Sequence, residues 1–138
     1  MKLDLKIIPP QLVPQMWSQL LPFFQAAYDE AGVTEYGTAE TLTFLTKGHW
    51  AAVGFFDESG KIHGALGLTM HAYPNERVAF VTAIGGRMLT SSENWQQLKD
   101  ICKAHGASKL QAYSRDSVAR LWRRLGFTNR AILVEAAL

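Results

Sequence analysis

The sequence predicts a single α+β domain with a mixed central sheet of about six strands flanked by four helices. Three observations carry this prediction. A helical pattern follows the first strand, three strand-like segments follow one another in the middle of the chain, and helix and strand patterns then alternate. With 138 residues and 48% hydrophobic composition, the chain can build one buried core. We therefore expect one domain over residues 1–138.

The chain begins with a strand and a long helix. Residues 3–8 alternate apolar and polar side chains and are stopped by Pro9 and Pro10. Apolar residues then recur at helical spacing over residues 13–27. Pro22 lies in the middle of this helix and predicts a kink there, with a break into two helices as the alternative.

A polar connection leads into a second, short helix. Residues 28–37 hold two tyrosines and three acidic residues, and such a stretch either faces a substrate or is a solvated linker. Thr38 can cap the second helix, and Gly48 marks its end.

Three strands form the middle of the chain. Residues 50–56 are a mostly apolar run, residues 57–61 a hairpin turn, and residues 62–71 the returning strand. After another turn at residues 73–76, residues 77–84 are rich in Val, Phe and Ile, which is typical of a central strand buried on both faces. These three strands predict an antiparallel meander.

Helices and strands alternate in the remaining chain. The third helix directs Trp95, Leu98 and Cys102 toward the core, and residues 109–113 form the next strand. A crossover helix between two strands places the second strand parallel to the first. Residues 128–138 are predicted as the last strand.

The fourth helix carries the most informative pattern. Val118, Leu121, Trp122 and Leu125 recur on one helical face, and Gly126 lies where a left-handed residue would end the helix. The first turn offers two capping side chains, Asp116 and Ser117.

Composition excludes several classes of protein. No run approaches the roughly 18 apolar residues of a membrane span, and the start lacks a signal-type apolar core, so we expect a cytoplasmic protein. The single cysteine, Cys102, excludes an internal disulfide. Three histidines, His49, His63 and His105, have no partners at metal-ligand spacing.

Charge is uneven along the chain. Residues 1–86 hold five Lys/Arg and eight Asp/Glu, whereas residues 87–138 hold nine and four, which gives net charges of −3 and +5. The basic second half suggests an anionic ligand or partner: a phosphorylated cofactor, a nucleic acid or an acidic protein.

The element order and the fourth helix resemble the GNAT acyltransferase superfamily. In that family the last helix has the pattern N-x-x-A-x-x-L-Y-x-x-L-G-F, and residues 115–127 of this chain, R-D-S-V-A-R-L-W-R-R-L-G-F, correspond to it. The chain looks particularly similar to the compact GNAT-like proteins of phage genomes. The resemblance implies transfer of an acetyl group from acetyl-CoA to a small-molecule or protein amine, in a bacterial or phage-infected cell.

The resemblance also implies where acetyl-CoA binds. The thioester would lie between the parallel strands, with its carbonyl polarised by backbone N–H groups near Ala83, Ile84 and Gly85. The pyrophosphate would lie at the start of the third helix, whose N–H groups and dipole favour an anion. Its binding residues would be Arg87, Thr90, Ser91 and Ser92.

That loop departs from the family pattern. The family's R/Q-x-x-G-x-G/A loop lets backbone N–H groups approach the phosphates, but aligned on Arg87 this chain has Thr90 in place of the first glycine. Its glycines, Gly85 and Gly86, come earlier. The hydroxyls can still donate to phosphate, and an ordinary serine cap of the helix explains them equally well.

The reaction also needs a base near the centre of the sheet. The candidates are Glu76 and His71, directly or through water, with Tyr113 as a weaker acid or substrate contact. The family often has a tyrosine acid where this chain has Trp122, and an indole N–H donates hydrogen bonds without giving up a proton. Trp122 also belongs to the apolar stripe, which favours a core position.

Arginines on the fourth helix are the last candidates. Arg115 and Arg120, with Arg123 and Arg124, could meet the cofactor's 3′-phosphate or a nucleic-acid backbone, although a solvated face is the commoner meaning. Two alternatives to the enzyme remain. One is a catalytically inactive GNAT-like structural or interaction protein, such as a virion component, an inhibitor of a host protein or a homo-oligomer. The other, a small nucleic-acid binder, is weaker because interleaved exposed aromatics are missing.

Overall fold

The computed structural model describes residues 1–87 and 89–138. Its five strands are β1 Asp4–Ile8, β2 Ala51–Phe56, β3 Ile62–Ala72, β4 Arg77–Gly86 and β5 Lys109–Ala112. The α-helices of the described residues are α1 Val13–Ala31, α2 Thr38–Thr46, α3 Ser92–Ala104 and α4 Asp116–Arg123, and a short 3-10 turn, Pro10–Leu12, precedes α1. The α+β class with a mixed sheet and four helices is as predicted.

The strands form one sheet in the order β1-β2-β3-β4-β5. The first four pair antiparallel, which confirms the predicted meander. β4 and β5 pair parallel, as the crossover through α3 requires. This parallel ladder is short, running from Val78 opposite Lys109 to Val81 opposite Ala112.

The predicted last strand is wrong. Residues 128–138 form no strand, and every one of them is exposed. A strand exists only by pairing, and in the described chain no strand lies along the outer edge of β5. The apolar pattern of residues 128–138 indicates a local preference for an extended chain, but no strand of the described chain is available there to pair with it. The sheet therefore has five strands instead of about six.

The helix ends differ from the predicted caps. α1 continues through Pro22, so it does not break into two helices. The cap of α2 is Gly37 rather than Thr38, because the Glu40 carboxylate accepts the Gly37 N–H at 2.7 Å. The cap of α4 is Arg115, and neither Asp116 nor Ser117 caps the helix with its side chain.

Two cores cover the two faces of the sheet. α3 and α4 cover one face, and its core includes Trp95, Leu98 and Cys102, as predicted, together with Trp122. Burial raises the pKa of the Cys102 thiol to about 11, so this cysteine is an inert core residue. α1 and α2 cover the other face, around Phe24.

α1 packs directly on the backbone of β4 at Gly85. A Cβ atom at Gly85 would lie 2.0 Å from the Phe23 carbonyl oxygen of α1. Gly86 has φ +91°, and a Cβ there would lie 2.5 Å from the His63 carbonyl oxygen. Both glycines are therefore required by the approach of neighbouring backbone.

We expect Gly85→Ala to destabilise the protein by about 1–3 kcal/mol or more, because the added methyl group forces α1 away from β4. The midpoint of urea unfolding measures this change. Gly37→Ala is the matched control, since its Cβ would meet Glu40 Oε1 at an ordinary 3.5 Å. Equal midpoints for the two variants would contradict the close packing of α1 on β4.

Candidate active site

A gap between β4 and β5 is the candidate active site. The two strands pair only as far as Val81 and Ala112, but β4 continues to Gly86. Beyond Val81, no strand of the described chain pairs with the side of β4 that faces away from β3. Backbone groups there are available to a ligand, since a strand edge offers unpaired N–H and C=O groups.

A β-bulge lies where the gap begins. Leu68 of β3 pairs with Val81, but Gly67 pairs with Ala83, so Thr82 is the extra residue on β4. Tyr36, from the connection between α1 and α2, donates its hydroxyl to the Thr82 carbonyl at 3.2 Å. Burial raises the pKa of the Tyr36 phenol, which keeps this donor protonated.

Two buried polar atoms have no hydrogen-bond partner among the described residues. They are the Thr82 hydroxyl oxygen on β4 and the indole nitrogen of Trp122 on α4. Buried polar groups are nearly always paired, so each marks a place where a ligand or water would supply the missing bond. The Thr82 hydroxyl lies over Gly67 of β3 on the face under α1, whereas the Trp122 indole belongs to the core under α3 and α4.

The sequence analysis did not identify Tyr36 and Thr82. A signal for each was present. Thr82 is the polar residue in an otherwise apolar stretch of the central strand, and Tyr36 lies in the polar connection of residues 28–37. The second tyrosine of that connection, Tyr28, belongs to α1 and hydrogen-bonds Thr41 at 2.5 Å. Burial raises the pKa of Tyr28 to about 12, so it is a neutral core group.

The segment between β4 and α3 lies at one end of the gap. Arg87 is exposed, and its guanidinium lies 3.9 Å from the Met1 sulfur. Met88 is outside the described residues. Leu89 is buried and its carbonyl accepts the Trp95 indole N–H at 2.9 Å, which fixes the segment against α3.

The start of α3 is capped by Ser91. Its hydroxyl oxygen accepts the Asn94 N–H at 3.1 Å, and the Asn94 amide donates to the Leu3 carbonyl at 2.8 Å. The serine cap that the sequence analysis offered as the alternative is therefore present. Thr90 and Ser92 are exposed beside it, and first-turn N–H groups have no partner within the helix.

The predicted arginines are exposed on the far side of the gap. Arg115 forms an ion pair with Glu30, which connects the start of α4 to the end of α1. Both side chains are more than half exposed, so this pair adds little stability. Arg120 lies on the exposed surface of α4.

Glu76 lies at the other end of β4 from this segment. Its carboxylate pairs with Lys109 at 2.9 Å and accepts the Ser108 hydroxyl at 3.2 Å. The hydrogen bond from Lys109 holds the pKa of Glu76 below its usual range. Six residues separate Glu76 from the bulge at Thr82, which is on the order of 20 Å along a strand.

His71 and Tyr113 are brought together by Phe80. The Phe80 ring lies 6.1 Å from the His71 ring and 5.2 Å from the Tyr113 ring, both nearly edge to face. Because Ala79 and Val81 belong to the core under α3, Phe80 points to the opposite face. We call these three residues the aromatic row. Phe80 lies two residues before the bulge in the paired part of β4, His71 lies opposite Val78 on β3, and Tyr113 is exposed.

Other polar clusters lie elsewhere. His63 pairs with Asp57 at 2.8 Å in the turn between β2 and β3, and this hydrogen bond holds the pKa of Asp57 well below its usual range. A cavity of about 480 Å³ lies at the other end of the sheet, where Arg77, His49 and His105 form part of its wall. Residues 1–87 and 89–138 hold no group of three side chains suited to a metal ion. None of the helices in those ranges combines the length and the apolar character that crossing a bilayer requires.

Comparison with known proteins identifies the fold. No family model and no curated protein matches the sequence. An aminoglycoside acetyltransferase from an uncultured soil metagenomic sample has a TM-score of 0.71 at 18% identity, covering 100% of this chain and 99% of that chain. Glucosamine-6-phosphate N-acetyltransferase from Arabidopsis thaliana has a TM-score of 0.64 at 13% identity, with 99% of each chain covered. A second soil aminoglycoside acetyltransferase, in complex with sisomicin, has a TM-score of 0.70 at 13% identity, covering 99% and 96%.

We expect Thr82→Val to stabilise the protein by about 1 kcal/mol, because it removes a buried hydroxyl that has no partner in the described chain. Thermal unfolding would show a melting temperature higher by about 2–4 °C. Thr69→Val is the control. Thr69 is half-buried on the neighbouring strand, and the substitution makes the same chemical change without removing an unpaired buried hydroxyl. A melting temperature lowered in the Thr82 variant alone would show that its hydroxyl is hydrogen-bonded.

Proposed function

We propose that this chain, whose fold is that of the GNAT acetyltransferases, transfers an acetyl group from acetyl-CoA to an amine. The observation that carries the proposal is the gap between β4 and β5, which begins at the bulged Thr82. It leaves the backbone of the central strand unpaired beyond Val81 on the side that faces away from β3. An extended, polar acyl donor would satisfy groups of this kind.

The residues present fit acetyl-CoA at this place. Backbone groups of Ala83, Ile84 and Gly85 would hold the acyl arm, since they follow the bulge on the unpaired side of β4. The start of α3, with Thr90 and Ser92 exposed beside it, would bind the pyrophosphate. When bound, acetyl-CoA supplies a thioester that an amine can attack.

Arginines would neutralise the remaining phosphate charge. Arg87 precedes α3 and is exposed, and Arg120 is exposed on α4. Arg115 is already paired with Glu30, so its contribution to anion binding would require that pair to open. Guanidinium groups bind phosphate through two parallel hydrogen bonds, which suits this role.

The aromatic row would bind the amine acceptor. Aromatic faces attract ammonium groups, and Phe80 and Tyr113 present such faces. His71, in contact with Phe80, would take the proton through a ring nitrogen. Glu76 is the weaker base, since its carboxylate is occupied by Lys109.

Trp122 would replace the tyrosine that the family often has on the last helix. Its buried indole N–H has no partner in the described chain and lies in the core beside Trp95 and Phe127. It cannot protonate a leaving group. A thiol has a pKa of about 8.5, so its departure as an anion needs no protein acid.

We expect acetyl-CoA to bind with micromolar affinity and the Arg87→Glu variant to lose at least tenfold, because a carboxylate then faces the phosphates. Isothermal titration calorimetry measures both. Lys103→Glu makes the same charge reversal at the other end of α3 and should leave the affinity within about twofold. Absence of heat at millimolar acetyl-CoA would refute the proposal.

We expect His71→Gln to lower kcat for acetyl transfer by about 10²-fold, because the variant lacks the base that would take the amine proton. Release of free CoA thiol measures the rate, with aminoglycosides and amino sugars as the first acceptors. His49→Gln is the control, since this exposed histidine lies outside the aromatic row, in the wall of the cavity that Met70 and Arg77 also line. An unchanged kcat in the His71 variant would assign the proton to another group.

One observation favours a second candidate, a protein of this fold without acetyl transfer that acts through a partner. Gly85 packs against the backbone of α1, and Gly86 packs against the backbone of β3. These two glycines therefore do not form a glycine-rich loop that could bind phosphate. This candidate and the enzyme differ in the calorimetric experiment, because only the enzyme needs acetyl-CoA.

A further inference from the structure

The cavity of about 480 Å³ lies between the C-terminal end of α3 and one end of the sheet. The end of β1, the start of β2, the end of β3 and the start of β4 border it, through Ile8, Ala51, Met70 and Arg77. Small-molecule sites in proteins have volumes of roughly 300–1,000 Å³. The cavity is therefore large enough for a ligand, and no step of the proposed reaction uses it.

The sheet separates this cavity from the aromatic row. Met70 packs against the core under α3, so its neighbour His71 points to the opposite face. Arg77 lies five residues before the bulged Thr82, which is on the order of 16 Å along a strand. The cavity is thus a different site from both the gap and the aromatic row.

Most of the cavity wall is apolar. It includes four half-buried side chains at the margin of the core under α3, namely Ile7, Ala51, Met70 and Ile101. An apolar ligand in a concave apolar surface is favoured, because its burial removes both surfaces from water. A ligand that fits this wall has an apolar body.

Arg77 supplies a positive charge to the wall. Its side chain is exposed and forms no ion pair within the described chain. The stem lies over Gly106, where a Cβ atom would be 3.5 Å from Arg77 Cδ, and the Ser108 N–H donates to the Arg77 carbonyl at 2.9 Å. These contacts hold the residue beside the end of α3 without occupying its guanidinium.

The end of α3 does not need this guanidinium as a partner. Carbonyl groups at a helix C-terminus attract cations, but here the following turn already satisfies them. The Cys102 carbonyl accepts the N–H groups of His105 and Ala107, both at 3.1 Å, and the Ile101 carbonyl lies 2.9 Å from His105 Nδ1. Because a carbonyl only accepts, Nδ1 carries a proton, and Nε2 of His105 is left for a ligand at the cavity wall.

We propose that this cavity binds a small carboxylate with an apolar body, whose carboxylate pairs with Arg77 and whose body lies against the apolar wall. A planar guanidinium donates two parallel hydrogen bonds to a planar carboxylate, which selects this anion. None of the described residues in the wall is acidic, so no side chain there competes for Arg77 or repels the ligand. The cavity is thus a second ligand site, separate from acetyl transfer.

The first test is a titration of the full chain with octanoate and with 3-phenylpropionate, followed by amide chemical shifts in NMR spectra. At least one acid should bind with a Kd below about 1 mM, and the tighter of the two assigns a flexible or an aromatic body. The shifts should centre on Ala51, Met70, Arg77 and the end of α3. Absence of binding by both acids at about 10 mM, or largest shifts at residues 82–85 in the gap, would overturn the proposal.

Two further probes separate the apolar and charged contributions. Butyrate keeps the carboxylate but lacks four methylene groups of octanoate, so it should bind at least tenfold more weakly than octanoate. Octanol keeps the body without the charge, and it should also bind at least tenfold more weakly. An affinity for octanol equal to that of the tighter acid would contradict recognition of an anion.

The second test assigns the carboxylate contact. Arg77→Gln should weaken binding of the tighter acid at least tenfold, with unchanged far-UV circular dichroism. Lys103→Gln is the matched control, since it removes an exposed positive charge from the last turn of α3 outside the cavity wall, and it should change the affinity by less than about twofold. Equal affinities in the two variants would overturn the role of Arg77. Neither result depends on whether acetyl-CoA binds.

Discussion

The short parallel ladder between β4 and β5 is the constraint on which the site depends. Four paired positions hold β5 against the sheet, and the bulge at Thr82 then changes the direction of β4 as the pairing ends. If β5 were two residues longer in register, its backbone would occupy the space assigned here to a ligand. The gap is therefore a consequence of where hydrogen bonding stops. It needs no particular catalytic side chain to exist.

α1 maintains this arrangement from the opposite face. Its backbone touches β4 at Gly85, and a series of aromatic contacts continues from Phe24 and Tyr28 of α1 through Tyr36 to Trp50. Tyr36 also donates to the carbonyl of the bulged residue. The connection between α1 and α2 thus holds the strand distortion in place. Tyr36 gives the connection this structural role, while Thr34 and Glu35 beside it are exposed.

Much of the fold could be predicted because local patterns determine it. The helical spacing of Trp95 and Leu98 was sufficient to predict α3. The turn residues between the central strands were sufficient to predict the antiparallel meander. The bulge could not be predicted, since it depends on the register between residues 67 and 83. The pair between Glu76 and Lys109 joins residues 33 apart in sequence. The failed last strand has the same cause, because a strand needs a neighbour that local sequence does not specify.

The tryptophans make the two faces of the sheet separately observable. Trp95 and Trp122 lie 5.3 Å apart, between ring centres, under α3 and α4, whereas Trp17 and Trp50 belong to the core under α1 and α2. Indole emission depends on polarity and on hydrogen bonding of the ring N–H. The emission of Trp122, whose N–H has no partner in the described chain, reports on the core under α3 and α4. Replacing Trp17 and Trp50 with phenylalanine would leave an intrinsic optical reporter on the α3 and α4 face alone.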